Sequence, residues 1–219
     1  MKRIAAVIYT FLMLGTVAAP GAEEASLDTI LVKMEQAEQK IEAVQFDYQQ
    51  DINYTLTGEK QTNSGQVIFQ KPNNLYIKQL NPVPQMIIAN GKKVWVYTPS
   101  YNQVATDSWQ RWMKSSLVPA SLLNLGQNWA EMKKNYAFTS LGTEGEDYLL
   151  LLSPKKKGAD DWKMKLWIDS KEFIPHKASL LGGNISITTE TKNYKVNPQI
   201  DKNMFNFRPP PRTEVINIP

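Results

Sequence analysis

The sequence predicts a mainly β protein with a few helices, built as one long antiparallel sheet. Between Gly65 and Trp109, four short apolar runs (residues 67–69, 75–77, 86–89 and 94–97) are each closed by a turn signal. Lys71-Pro72-Asn73, Asn81-Pro82 and Asn90-Gly91 supply those signals, and Asn-Gly between such runs is the strongest short hairpin marker. Apolar runs separated by turns return after residue 136, and no solenoid-length repeat, heptad pattern or low-complexity tract interrupts them. A sheet of that many strands curls toward a barrel.

The elements follow in order. Lys2-Arg3 precede an apolar run over residues 4–17 and the small residues Ala18, Ala19, Gly21 and Ala22 around Pro20. These are the n-region, h-region and cleavage site of a secretory signal peptide. The run falls short of the about 20 apolar residues that span a bilayer. The expected organisation is a signal peptide over residues 1–22 and a single domain over 23–219. Leu27, Ile30, Leu31, Met34, Ala37, Ile41 and Val44 then fall at helical spacing behind Ser26 as N-cap, predicting a helix over residues 27–42. Phe46 and Tyr48 begin a strand, and Thr57-Gly58-Glu59-Lys60 reads as a hairpin tip. Residues 118–126 read as a short helix stopped by Gly126, and residues 128–135 as a polar connector or short helix. Strands are predicted at 136–141, 148–152, 163–168, 177–181, 185–191 and around 204–207, with turns at 142–145, 154–161, 170–175 and Gly182-Gly183.

Composition narrows the function. Cysteine is absent, which removes disulfides, thiolate metal sites and lipid attachment through an N-terminal cysteine. An exported chain of this kind is held by its core and is expected to diffuse freely, as a monomer. The net charge of +4 includes Lys2 and Arg3 of the signal, too small an excess for a nucleic-acid binder. The one basic run, Lys155-Lys156-Lys157, has the flanks of a solvated hairpin loop; its alternative use is docking to an acidic surface.

No catalytic motif is visible. His176, the single histidine, has no histidine or cysteine partner for zinc and no serine elbow, and reads as structural or solvent-exposed. GxSxG, GxGxxG, P-loop and HExxH patterns are absent. Carboxylates gather over 144–147 and at Asp160-Asp161 in hydrophilic turns, and a paired-carboxylate hydrolase stays the enzyme alternative because such pairs meet in space. No catalytic residue, metal or cofactor is expected. Aromatic and methionine content points elsewhere: six tryptophans and eight methionines are present. Trp95 and Tyr97 share one face of their strand and Val94 and Val96 the other, and Met86 and Ile88 alternate with Ile87 likewise. A sheet apolar on both faces covers both or keeps one for an apolar ligand. These residues fill an ordinary core or line a deformable cavity, which methionine suits because it repacks around irregular ligands.

Gly65-Gln66-Val67-Ile68-Phe69-Gln70-Lys71-Pro72-Asn73, followed by Asn90-Gly91-Lys92-Lys93-Val94-Trp95-Val96-Tyr97 and Asn102-Gln103, resembles the periplasmic lipoprotein carrier (LolA) family. The family pattern is G-x-hydrophobic-hydrophobic-hydrophobic-x-(K/R)-P-N and, further on, (D/N)-G-K-x-hydrophobic-W-x-Y. Tyr148-Leu149-Leu150-Leu151-Leu152-Ser153-Pro154-Lys155 and Phe205-Asn206-Phe207-Arg208-Pro209-Pro210 resemble its later blocks, so the likeness runs through the mature chain. It implies an incomplete, half-open antiparallel β-barrel with helices forming a lid over an apolar cavity, and no covalent chemistry. It also implies partners: acylated lipoproteins as cargo, an inner-membrane ATP-driven lipoprotein exporter that loads them, and an outer-membrane acceptor. By position, Ile77, Met86, Ile88, Trp95 and Tyr97 would line or back the cavity. Leu122, Leu123 and Leu125 would form the lid helix, with Trp112 and Met113 nearby. Lys71 takes the place of a basic residue, arginine in well-studied members, that controls release through lid contacts. Lysine lacks arginine's planar fork, so such a latch is looser or built differently here. A register slip of one residue reverses the cavity set. Two same-fold alternatives stand beside the carrier, one a carrier of another lipid or glycolipid, the other an envelope-stress lipid sensor. The sensor usually has a second, larger C-terminal domain, whereas this chain ends shortly after Pro209-Pro210-Pro211.

Overall fold

Side chains that alternate with a period of two commit a segment to a strand with two distinct faces. The computed structural model describes residues 25–115, 129–156 and 162–217, and these hold twelve strands joined in one open sheet. Helix α1 (Leu27–Gln39) precedes β1 (Ala43–Tyr54), β2 (Lys60–Gln70), β3 (Asn74–Asn81), β4 (Gln85–Asn90), β5 (Lys93–Thr98) and β6 (Gln103–Ser108). Helices α2 (Trp109–Ser115) and α3 (Trp129–Asn135) follow, then β7 (Tyr136–Glu144), β8 (Asp147–Pro154), β9 (Trp162–Ile168), β10 (Pro175–Gly182), β11 (Ile185–Val196) and β12 (Glu214–Asn217). Across the sheet the order is β12-β6-β5-β4-β3-β2-β1-β11-β10-β9-β8-β7. The antiparallel meander read at residues 65–109 is therefore present, with turns where Lys71-Pro72-Asn73, Asn81-Pro82 and Asn90-Gly91 mark them.

Helix α1 starts as expected, with the Ser26 hydroxyl accepting the Thr29 N–H at 3.2 Å. It stops at Gln39, three residues before the predicted Glu42. The cause lies far along the chain. Asn197, at φ 50°, accepts the N–H groups of Glu42 and Ala43 at 2.8 and 3.1 Å and donates to the Lys40 carbonyl at 2.9 Å. One side chain so satisfies the polar backbone of the corner that turns α1 into β1.

One face of the sheet, here the inner face, carries the helices. Over β1–β5, Val44, Phe46, Val67, Phe69, Leu75 and Ile77 form a buried group with Trp112 of α2. Over β8–β10, Leu150, Leu152, Met164, Leu166 and Ile168 form a second group with Ile30, Leu31 and Met34 of α1. Each such side chain contributes about 1.5–3 kcal/mol when withdrawn from water. The outer face over β2–β6 is apolar too, with Ile68, Ile88 and Val104 buried. Its cover is the C-terminal segment: the Phe207 ring lies 6.4 Å from Trp95 and 5.7 Å from Tyr97.

That segment corrects two expectations. The strand expected around 204–207 is a 3-10 turn (Lys202–Phe205), begun by the Asp201 carboxylate accepting the Asn203 N–H at 2.9 Å. The strand forms later, as β12, and runs parallel to β6, so the sheet is not antiparallel throughout. A chain that crosses a face before reaching the edge can arrive parallel, which a tight hairpin cannot do. Helix α2 has no counterpart among the sequence expectations. The helix read at 118–126 lies outside the described residues.

Gly65 stands at a register shift in the β2–β3 pairing, between Ser64 and Gly65. A Cβ there would meet the Lys78 carbonyl oxygen at 2.1 Å and the Gln79 Cα at 2.9 Å, both backbone. Gly65→Ala is expected to cost about 2 kcal/mol or more, read as a lower midpoint in urea denaturation; an unchanged midpoint would show that the bulge relaxes freely.

Candidate functional site

Cross-strand partners share a face, so the register reads out the inner surface row by row. The first row runs Val44, Phe69, Leu75, Ala89 and Val94; the second runs Phe46, Val67, Ile77, Ile87 and Val96. In the third, Tyr48 stands opposite Gly65, which stands opposite Gln79, and Gln79 opposite Gln85. Gln50 and Asn63 pair in the fourth. Along β1–β5 the inner face thus changes from apolar to amide-bearing, with Tyr48 at the boundary, before Ile52 turns it apolar again opposite Ile187. Helix α2 covers the apolar rows of β1–β5, and α1 covers the second apolar group, over β8–β10.

Three attachments hold those helices. The Lys71 ammonium pairs with the Glu38 carboxylate at 2.9 Å and donates to the Glu38 carbonyl at 3.0 Å, at the C-terminal turn of α1, where a cation also suits the helix dipole. Glu35 on α1 pairs with Lys133 on α3 at 2.8 Å. At the root of α2, the buried Asp107 carboxylate accepts from the Arg111 guanidinium and from the Ser108 N–H. Trp109 stacks on Trp112 at 5.8 Å, and both pack with Met113 over the first apolar group.

The boundary holds two phenols. Tyr194 stacks on Phe46 with centroids 5.5 Å apart, and Tyr48 packs against the same group. Burial pushes the Tyr48 hydroxyl up to about 12 and raises that of Tyr194 as well. Neither hydroxyl has a hydrogen-bond partner among the described residues. Elsewhere, His176 Nε2 lies 2.8 Å from the Asp147 carboxylate at the end of β10. Among the described residues no group of three histidine, aspartate or glutamate side chains is placed to hold a metal.

The residues singled out from the sequence do not converge on one surface. Ile77 is on the inner face under α2. Met86, Ile88, Trp95 and Tyr97 form two cross-strand pairs on the outer face, toward the C-terminal cover. Lys71 sits at the end of α1. Leu122, Leu123 and Leu125 lie outside the described residues. Sequence reasoning missed Tyr48, Tyr194, Ile87, Val96 and Glu38. Alternation with Ile77 could have found Ile87 and Val96 had the β3–β4 register been known; nothing local marks the other three.

Tyr48 has a consequence at high pH. An unfolded tyrosine ionises near its ordinary value of 10.0, and the folded one near 12. The stabilising difference is complete below pH 10 and is lost as pH rises through about 12, because the unfolded phenol gives up its proton first. Tyr48→Phe is expected to shrink the drop in urea midpoint between about pH 8 and about pH 11. An identical drop in the two proteins would show that the phenol ionises as it does in the unfolded chain.

Comparison with known proteins agrees with this architecture. The family described as outer membrane lipoprotein carrier protein LolA matches residues 39–208. An outer-membrane lipoprotein carrier protein of Dechloromonas aromatica is 26% identical over 158 residues, which are 71% of this chain and 72% of that protein. An uncharacterized protein of Methanocaldococcus jannaschii is 24% identical over 208 residues, which are 93% of this chain but 58% of that relative, so this chain spans under two-thirds of its length. Among solved structures, an uncharacterized conserved protein from Thermus thermophilus superposes with a TM-score of 0.56 at 13% identity, covering 87% of this chain and 98% of the other. That likeness is one of fold. Because the family match takes in most of the sheet from the end of α1 to the turn before β12, the chain belongs to the LolA family of outer membrane lipoprotein carrier proteins.

Proposed function

We propose that this chain is a periplasmic carrier that holds lipoprotein acyl chains on the apolar end of its inner face and shuttles them from the inner to the outer membrane. The observation that carries the reading is that apolar floor, rows of Val44, Phe69, Leu75 and Phe46, Val67, Ile77, covered by helices tied down through side-chain ion pairs. An acyl chain of about fourteen methylenes gains roughly 11 kcal/mol by leaving water. A diffusible protein can take and return such cargo only by exchanging one apolar surrounding for another. Displacing α2 from that floor, or α1 from the apolar group over β8–β10, offers that exchange, since each surface gives up helix side chains and receives acyl chain. Ile77 then lines the site, with Ile87 and Val96 beside it. Met86, Ile88, Trp95 and Tyr97 back it from the outer face, and Leu122, Leu123 and Leu125 extend the lid. Loading by an ATP-driven exporter and unloading to an outer-membrane acceptor fit this cycle, which requires no catalytic residue, metal or cofactor.

Lys71 is the proposed latch. Lys71→Leu removes the bonds to Glu38 and is expected to lower stability by about 1 kcal/mol, to leave uptake of acylated probe intact and to impair onward delivery. Normal delivery would remove Lys71 from the release step. The carrier reading itself is tested by native mass spectrometry, with lipid extraction, of the protein purified from its own periplasm. Acylated peptides at near one-to-one are expected. A free lipid or glycolipid instead would keep the cavity and change the cargo, and an empty protein that also ignores added acyl probes would overturn the reading.

A further inference from the structure

Charge is sorted strictly between the two faces of the central strands. From β11 through β1 to β5, the charged strand residues Asp47, Asp51, Lys60, Lys78, Lys93, Glu190, Lys192 and Lys195 all take outer-face register positions, and every inner-face position is uncharged. Beyond the apolar rows, that inner face carries a ladder of amides and hydroxyls. Gln61 donates to Asn63 at 2.6 Å, Asn63 to Gln50 at 3.1 Å, and Gln50 to Thr189 at 3.2 Å. A side-chain amide has two N–H groups, so each of these links leaves one donor unspent. Tyr48 adds a phenol at the boundary that has no hydrogen-bond partner among the described residues, and a hydroxyl half withdrawn from water gains when something arrives to bond it.

Resting on the carrier reading, we infer that this amide ladder, with the Tyr48 hydroxyl, is a docking platform for the ester carbonyl groups that join the acyl chains to the rest of the cargo. The chemistry selects this occupant. The Tyr48 hydroxyl and the second N–H of each amide are available as donors, and an ester carbonyl, an acceptor only, takes its bond from them. A free carboxylate or a phosphate would enter a face with no cation to meet it and would lose its hydration without compensation. The geometry also agrees: the platform lies on the same face as the apolar floor, one strand row further on, so a chain lying along the floor brings its ester end to Tyr48 and Gln50. The face thereby orients the cargo, acyl end on the floor under α2 and ester end at the amide rows.

Two matched probes test this. One is a synthetic lipopeptide carrying two palmitoyl chains as esters on a thioglyceryl cysteine; the other is its diether analogue, which keeps the chains and lacks the carbonyls. Wild-type protein is expected to bind the diester about tenfold more tightly, and Tyr48→Phe to bring the ratio close to one with little change in diether affinity. Tyr48→Phe removes no bond to a described residue, so its thermal midpoint at neutral pH should be no lower than that of the wild type. Gln50→Leu supplies an independent reduction of the same ratio. Equal wild-type affinity for diester and diether would overturn the inference and leave the carrier standing. A wild type that binds neither probe would overturn the carrier reading and this inference with it.

Discussion

The molecule depends on β1. This strand lies between β2 and β11 and is the seam at which the two halves of the sheet meet, with Val44 opposite both Phe69 and Val196. Bringing β11 to β1 closes a loop of well over a hundred residues, an entropic cost that grows only slowly with length and is offset by the two apolar groups the sheet then holds. β1 also writes the polarity of the inner face, since Val44, Phe46, Tyr48 and Gln50 succeed one another on it and each row of neighbours repeats the same step. The corner that feeds β1 is fixed by Asn197 from just beyond β11. Helix, seam and far strand are therefore one cooperative unit.

The two apolar faces over β2–β6 are covered by different means. The outer cover continues into β12, whose backbone pairs with β6. The inner cover consists of helices fastened through side chains. Ion pairs at or near the surface are worth little individually, so α2 rests chiefly on apolar contact with the floor over β1–β5 and α1 on the apolar group over β8–β10. A segment of that kind can leave without breaking a backbone ladder, and such segments supply the low-stability end of a structure's local openings.

Much of this was legible in the chain. Asn90-Gly91 and Lys71-Pro72-Asn73 placed the meander, and Ser26 placed the start of α1, because turns and caps are decided by a few neighbouring residues. Face assignment was not, because it rests on connection lengths. The β3–β4 connection sets Ile77 opposite Ile87 and not Ile88, and a single residue more or less would have moved Met86 and Ile88 to the helix side. Partners distant in sequence were equally hidden. Nothing near Lys71 names Glu38, and nothing near Tyr48 says that its hydroxyl finds no bond among the described residues. The parallel β12 escaped for a related reason: its place depends on where a segment goes after crossing the outer face.

On the carrier reading, the division of the inner face resolves a difficulty that burial alone creates. Two acyl chains would gain roughly twice 11 kcal/mol from a dry site, which is more than a protein that must release its cargo can hold. The helices reduce this, because the floor they cover is already dry and the cargo gains only the difference between two apolar partners. Apolar exchange of that kind distinguishes poorly between one greasy chain and another, since it is roughly proportional to area and has no direction. Discrimination has to come from directional bonds, and the inner face places these in the rows next to the apolar floor, at Tyr48 and the amides beyond it. Affinity and selectivity are thus drawn from different ends of one surface, and the apolar end can be tuned for release without altering what the polar end accepts.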